Sequence, residues 1–138
     1  MSKKIWAISV ACMFLAVLPA RALDFKPGKY EITVKMEIPG MPGGMPAQTS
    51  TQCLNEKNPV PDSSPDPQGC KMTNLKTSGN TVTYTIECSQ KGMEGKSAGE
   101  ITYKGDSFEG TTKTSMGPEA GGMIVTTVVK GKRIGKCD

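Results

Sequence analysis

The sequence predicts an all-β protein: an antiparallel meander of about seven strands, forming a small barrel or strongly curled half-barrel with two disulfides. Apolar and polar residues alternate in several segments, as they do in strands with one buried face. The chain also contains 16 glycines and 10 prolines, which divide these segments into strands and turns. After residue 22 no segment carries a helical period. Together these observations favour one sheet with mostly short connections.

The first 22 residues have the pattern of a secretory signal peptide, which we expect to be cleaved after Ala22. Lys3 and Lys4 precede an apolar run of 14 residues, and small residues follow this run. As a helix the run would span about 21 Å, which is too short for a membrane core of about 30 Å. We therefore predict export to the periplasm without a membrane span, and a single β domain over residues 23–138.

The exported part of the chain is close to neutral. The full chain has 17 basic and 13 acidic residues, a net charge of +4. Three of the basic residues lie in the predicted signal peptide, so the net charge falls to about +1 without them. We therefore expect no nucleic-acid partner, and we expect a monomer.

Strict alternation predicts the first and fourth strands. From Tyr30 to Ile38 every even position is apolar and every odd position is polar, and Thr81–Cys88 repeats the pattern. Turn signals at residues 78–80 and 104–106 predict three-residue hairpin loops. The seven predicted strands are Tyr30–Ile38, Gln48–Leu54, Lys71–Thr77, Thr81–Ser89, Glu100–Tyr103, Ser107–Ser115 and Met123–Lys130.

Two connections are too long for tight hairpins. Residues 39–47 contain three prolines, which cannot donate to a ladder and so exclude a central strand. Residues 55–69 are rich in proline, aspartate and serine and lie between Cys53 and Cys70. We interpret the second segment as a surface loop held at both ends by cystines.

Four of the five cysteines remain after the predicted cleavage: Cys53, Cys70, Cys88 and Cys137. An even number in a small exported chain predicts two structural disulfides. A three-residue loop at residues 78–80 would place Cys70 opposite Cys88, so these two could pair. Pairing Cys53 with Cys70 and Cys88 with Cys137 is equally compatible with loop closure. In a strict up-and-down order, Cys137 would lie at the end of the sheet opposite the other three.

Several spaced motifs resemble an exported bacterial family catalogued as domain of unknown function 3617. They are Lys26–Ile32, similar to the family's opening motif, the Met/Pro-rich Met36–Pro46, Cys53-Leu54, Gly69-Cys70, Ser78–Thr81, Gly105–Gly110 and Gly131–Cys137. The chain departs from the family at Tyr30, where tryptophan is usual. The resemblance covers essentially all of residues 23–138. It implies a periplasmic protein with a four-cysteine β fold, and it supplies no catalytic residues.

The composition argues against most catalytic chemistry. The chain has no histidine, which excludes Ser-His-Asp and Cys-His nucleophile systems. Two acid pairs, Glu94 with Glu100 and Asp106 with Glu109, fall in or beside predicted turns where carboxylates are normally solvated. We interpret Gly95-Lys96-Ser97 as a turn rather than a phosphate loop. We therefore predict a protein that is not an enzyme and needs no cofactor.

Methionine is the most informative residue type for function. The seven that remain are Met36, Met41, Met45, Met72, Met93, Met116 and Met123. The candidate binding loop is residues 39–47, with Met41, Pro42, Met45 and Pro46 as its contact residues. We expect it to engage an apolar ligand or an envelope partner. The alternative is Cu(I) buffering by Met36, Met41 and Met45, because thioethers suit Cu(I). Strand alternation also places Met36 on the core face.

Overall fold

The computed structural model describes residues 23–61, 69–89 and 94–138. Its strands are β1 (Gly28–Glu37), β2 (Gln48–Leu54), β3 (Cys70–Ser78), β4 (Thr81–Cys88), β5 (Gly95–Tyr103), β6 (Ser107–Met116) and β7 (Ile124–Gly135), with one 3-10 turn at Pro118–Ala120. They form a single sheet in the order β2-β1-β7-β6-β5-β4-β3. The predicted all-β fold with seven antiparallel strands is confirmed. The predicted signal peptide and Met93 lie outside the described residues.

Strands β2 and β3 are the two edges of the sheet and run in the same direction. Every paired neighbour is antiparallel, including β1 with β7. Six antiparallel pairs therefore lie between β2 and β3. The strand direction reverses at each pair, so β3 runs in the same direction as β2. Seven strands cannot close into a ring whose pairs are all antiparallel. Of the two predicted forms, the described strands adopt the open half-barrel.

The sheet has two distinct ends, which the disulfides mark. We call the end where β1 begins and β7 finishes the closed end, and the opposite end the open end. Cys53 pairs with Cys137 at the closed end, and Cys70 pairs with Cys88 at the open end. The predicted position of Cys137, opposite the other three cysteines, is wrong. The reason is that β2 ends at the closed end, with Leu54 opposite Gly28, whereas β3 begins at the open end, with Cys70 opposite Cys88.

The β3–β4 hairpin has the predicted register near its cysteines but a different turn. Cys70 lies opposite Cys88, as predicted. The turn is shorter than predicted, because Ser78 already pairs with Thr81. The register then shifts between Thr73 and Lys76, where a bulge includes Asn74 at a φ of 53°. The extra residue in the bulge compensates for the residue missing from the turn.

Two strands are longer than the sequence indicated. β5 begins at Gly95 rather than Glu100, so the prediction of a turn at residues 95–97 is wrong. β7 continues to Gly135 rather than ending at Lys130. Both extensions have neighbours on each side: β4 and β6 flank β5, while β1 and β6 flank β7. Ladder hydrogen bonds from two partners maintain strand structure where alternation in the sequence is weak.

An aromatic layer fills the interior at the closed end. Phe25, Tyr30, Tyr103 and Phe108 lie with ring centroids 4.9–6.1 Å apart. Val60, from the segment that follows β2, is buried in the same core. The Tyr103 hydroxyl donates a hydrogen bond to the Pro59 carbonyl, which ties this segment to the layer. The aromatic rings therefore form the floor of the half-barrel.

Candidate functional site

A cavity of about 230 Å³ lies inside the half-barrel. Its lining comes from all seven strands and from the segment that follows β2: Ile32, Val34, Met36, Gln52, Pro61, Cys70, Tyr84, Ile86, Cys88, Ser97, Thr112, Thr114, Thr127 and Val129. Residues from both edge strands line this one space, so the sheet curls around it. None of these lining residues carries a charged side chain. The cavity is therefore a site for uncharged groups.

The strand registers arrange the inward side chains in layers. Nearest the aromatic floor is an aliphatic layer, in which Val82, Ile101, Val129 and Val34 follow one another across the sheet. The next layer towards the open end contains Tyr84, Thr112 and Thr127, and the one above it contains Ser97 and Thr114. We call these five residues the hydroxyl wall. The interior lining is thus aliphatic next to the aromatic floor, and it carries hydroxyl groups in the two layers nearer the open end.

The hydroxyl wall contains two side-chain hydrogen bonds. Tyr84 Oη lies 2.7 Å from Thr112 Oγ1, and Ser97 Oγ lies 2.8 Å from Thr114 Oγ1. Burial is the main cause that raises the pKa of Tyr84, and the hydrogen bond with Thr112 opposes it. The phenol therefore stays neutral at ordinary pH and can donate or accept a hydrogen bond.

Gly99 allows Tyr84 to reach Thr112. Tyr84 is on β4 and Thr112 is on β6, so the tyrosine ring must cross β5 between them. A Cβ added at Gly99 would come within 2.6 Å of the ring and within 2.7 Å of Thr112 Oγ1. Only a residue without a side chain leaves room for this crossing.

The cavity adjoins a second hollow of about 310 Å³ at the open end. Cys88, Ser97 and Thr114 line both spaces. The outer hollow lies against the 3-10 turn, and Glu94 and Glu119 also line it. Together the two spaces form a path from the aromatic floor to the surface.

Six exposed methionines lie towards the open end of the sheet. Five of them, which we call the methionine rim, are 39–51% exposed: Met36, Met41, Met45, Met116 and Met123. The sixth, Met72 on the edge strand β3, is 47% exposed. Met36 ends the inward face of β1 and lines the cavity, as its alternation predicts. It is exposed rather than buried in the core, because it is the last inward residue of β1, which ends at Glu37. The predicted binding loop, residues 39–47, is therefore beside the opening.

Backbone hydrogen bonds hold three of these methionines in one hairpin. The Met45 amide donates to the Met36 carbonyl at 3.0 Å, and the Gly44 amide donates to the Met41 carbonyl at 3.2 Å. Gly44 has a φ of +66°, and a Cβ there would come within 2.5 Å of the Met36 carbonyl oxygen. The loop is thus a compact turn that keeps Met36, Met41 and Met45 on neighbouring backbone.

The two acids of one predicted pair, Asp106 and Glu109, each form an ion pair with a lysine. Asp106 forms an ion pair with Lys26 at 3.3 Å, and Glu109 forms one with Lys104 at 2.6 Å. The hydrogen bond from Lys104 holds the pKa of Glu109 below its usual value. Within the described ranges, no group of three or more acidic or cysteine side chains is placed to hold a metal ion.

The sequence analysis missed the hydroxyl wall. Three of its members are threonines of β6 and β7, in which threonine occurs on both faces. The only sequence signal for these threonines was period-2 alternation along β6. It places Thr112 and Thr114 on the same face as the apolar Phe108. That signal becomes informative only when the register with β7 is known.

Comparison with known proteins gives one match. A family described as a protein of unknown function, DUF3617, matches residues 25–137. Searches of curated proteins and of solved structures return no match. In the part of the chain that the structure describes, no helix has both the length and the apolar character needed to cross a membrane.

Proposed function

This chain belongs to the DUF3617 family of proteins of unknown function, and we propose that it is a non-catalytic module that binds an apolar ligand. The observation that carries the proposal is the uncharged cavity of about 230 Å³, which opens at the methionine rim. A ligand there would remove apolar surface from water, worth about 25 cal/mol per Å². Flexible methionine side chains can adapt to the part of the ligand that emerges.

The proposed place of action is the periplasm. The pattern of residues 1–22 supports export and cleavage after Ala22. The two disulfides support it independently, because such bonds persist in oxidising compartments. Mass spectrometry of the protein purified from the cell envelope would test this. We expect a chain that starts at Leu23 with all four of its cysteines oxidised.

The proposed absence of catalysis rests on the side chains available at the cavity. The chain has no histidine, and the described lining of the inner cavity supplies hydroxyls, one amide, one thioether, a cystine and aliphatic groups, with no carboxylate among them. A hydroxyl with no general base nearby is a weak nucleophile. The cavity therefore favours holding a molecule over transforming it.

A matched pair of substitutions tests ligand binding. The neutral fluorophore N-phenylnaphthylamine gains fluorescence in apolar surroundings. Thr127→Phe would fill the cavity, whereas Thr126→Phe adds the same ring on the opposite face of β7. We expect Thr127→Phe to weaken probe binding roughly tenfold or more, and Thr126→Phe to leave it unchanged. Equal binding by both variants would contradict the cavity as the site.

Substitutions in the candidate binding loop, residues 39–47, provide a second test of ligand binding. Replacing Met41 and Met45 with serine leaves the cavity lining intact and removes two rim contacts. If the ligand is a small molecule held in the cavity, we expect this variant to bind the probe only about threefold more weakly. If the loop instead docks an envelope protein, probe binding stays unchanged and the pulldown of that protein is lost.

Cu(I) binding by Met36, Met41 and Met45 is the second candidate function. Its support is the compact hairpin, in which the Met45 amide donates to the Met36 carbonyl at 3.0 Å. Thioether sulfurs are soft ligands that suit Cu(I). Titration against a competing Cu(I) chelator tests the candidate. We expect serine at all three positions to abolish uptake, and serine at Met116 and Met123 to preserve it. Equal uptake by the two variants would reject it.

A further inference from the structure

We infer that the ligand is an uncharged chain molecule with a carbonyl or ester oxygen part of the way along its hydrocarbon. This inference rests on the proposed function and adds the chemical class of the ligand. It comes from the hydroxyl wall, which places hydrogen-bond donors inside an otherwise apolar cavity.

The hydroxyl wall contains hydroxyl hydrogens that its own hydrogen bonds do not use. In the pair formed by Tyr84 and Thr112, two hydroxyls carry two hydrogens, and their mutual bond at 2.7 Å uses one. The pair formed by Ser97 and Thr114, at 2.8 Å, likewise keeps one hydrogen. Each pair can therefore donate to a ligand oxygen without breaking its own bond. A pure hydrocarbon would leave these donors without a partner, which is unfavourable in an apolar space.

The position of the wall places the oxygen within the ligand rather than at its end. Val34 and Val129 lie one layer nearer the floor, and Ile32 lies nearer still. Met36 lies in the same layer as Thr127, and Met116 lies one layer beyond Thr114 towards the open end. Apolar side chains thus surround the wall on both sides along the path. A matching ligand has hydrocarbon on both sides of its oxygen, as an ester has.

The charges along the path disfavour an anionic ligand. The described lining of the inner cavity contains no cation that could balance a carboxylate or phosphate. The outer hollow instead carries Glu94 and Glu119. Burying an unpaired carboxylate here would cost far more than burying a neutral ester.

The size of the cavity favours one flexible chain. Pockets for compact drug-sized molecules usually exceed about 300 Å³, whereas the inner cavity has about 230 Å³ and continues into an outer hollow of about 310 Å³. A narrow, two-part path accommodates the length of a single flexible chain.

Competition experiments test the chemical class. Methyl decanoate, decanoate and pentylbenzene are each used to displace N-phenylnaphthylamine from the full exported protein. We expect the ester to compete at roughly tenfold lower concentration than decanoate, because only decanoate is charged. Thr127→Val keeps the shape of the side chain and removes one inward hydroxyl, and the double variant Ser97→Ala with Thr114→Val removes both hydroxyls of one pair. We expect each to weaken ester binding roughly three- to tenfold and to leave pentylbenzene binding unchanged or stronger, because no unpaired donor then faces the hydrocarbon.

Thr126→Val is the matched control on the outer face of β7, and it should change none of these affinities. Circular dichroism establishes that each variant is folded, and Thr127→Val provides the test if the double variant does not fold. The inference is overturned if decanoate competes as well as the ester, or if the valine variants bind the ester as the parent does. In both cases pentylbenzene still binds and the proposed function stands. A protein that binds none of the three compounds overturns both.

Discussion

Gly99 sets the shape of the cavity wall because it has no side chain. The Tyr84 ring crosses β5 at this residue, and its hydroxyl reaches Thr112 on β6. Gly131 has the same relation to Phe108, whose ring would overlap any added Cβ. Large inward side chains are thus accommodated by glycines on neighbouring strands. This pairing lets a sheet with few large apolar residues fill its interior.

Gly99→Ala should therefore destabilise the protein and disturb the hydroxyl wall. The new methyl group would overlap the Tyr84 ring, and overpacking of this kind costs about 1–3 kcal/mol. Gly135→Ala, also in a strand, meets no atom within 4 Å and should change the free energy of unfolding by no more than about 0.5 kcal/mol. Urea unfolding of both variants measures this difference. Similar values for the two would contradict the packing described.

At the scale of elements, the two disulfides hold different parts of the sheet. Cys70–Cys88 joins β3 to its hairpin partner β4 and spans 18 residues of sequence. Cys53–Cys137 joins the end of β2 to the segment after β7 and spans 84 residues. β1 lies between those two strands. The second disulfide therefore fixes the closed end across three adjacent strands.

Removing the Cys53–Cys137 disulfide should cost more stability than removing the other one. Loop-closure entropy in the unfolded chain grows with loop length, and the two spans predict a difference of about 1.4 kcal/mol. Serine at both positions of each pair, with urea unfolding, measures the two costs. A larger loss from the Cys70–Cys88 pair would show that strain or edge-strand pairing outweighs chain entropy.

The sequence predicted individual strands better than it predicted their arrangement. Alternation located β1 and β4, and turn chemistry predicted the register that places Cys70 opposite Cys88. It could not predict the direction of β3, because residues 55–69 are long enough to return along the sheet or to turn back. The residues of the hydroxyl wall come from four strands, so their meeting depends on the register between strands. The sequence of one strand does not specify that register. The candidate loop was predictable because its methionines and prolines are adjacent in sequence.

At the scale of the whole molecule, the three tyrosines are all buried. Tyr30, Tyr84 and Tyr103 are at most 5% exposed, and Tyr103 and Tyr30 belong to the aromatic floor. Burial is the main cause that raises the pKa of each above its ordinary value of 10.0. The unfolded chain therefore ionises its tyrosines more readily than the folded chain does. Stability from this source is complete below pH 10 and falls as the pH rises above it.

Alkaline unfolding tests this coupling. We expect the urea midpoint to be lower at about pH 11 than at about pH 9, with tyrosinate absorbance appearing as the protein unfolds. Tyr103→Phe removes one of the three phenols, so its midpoint should fall less over the same interval. An equal fall in the parent and the variant would mean that Tyr103 does not contribute. Tyrosinate formation in the folded protein would contradict burial as the cause.

The first described residues and Asp138 lie on the same side of the molecule. Asp24 lies beside the β3–β4 turn, where its amide donates to Asn80 Oδ1 at 3.1 Å. Asp138 lies 3.5 Å from the Lys29 ammonium at the start of β1. Both residues are thus at the closed end, away from the methionine rim. A linker fused after Asp138 would therefore anchor the molecule with the opening of its cavity facing outwards, so protein immobilised in this way should retain its full capacity to capture ligand.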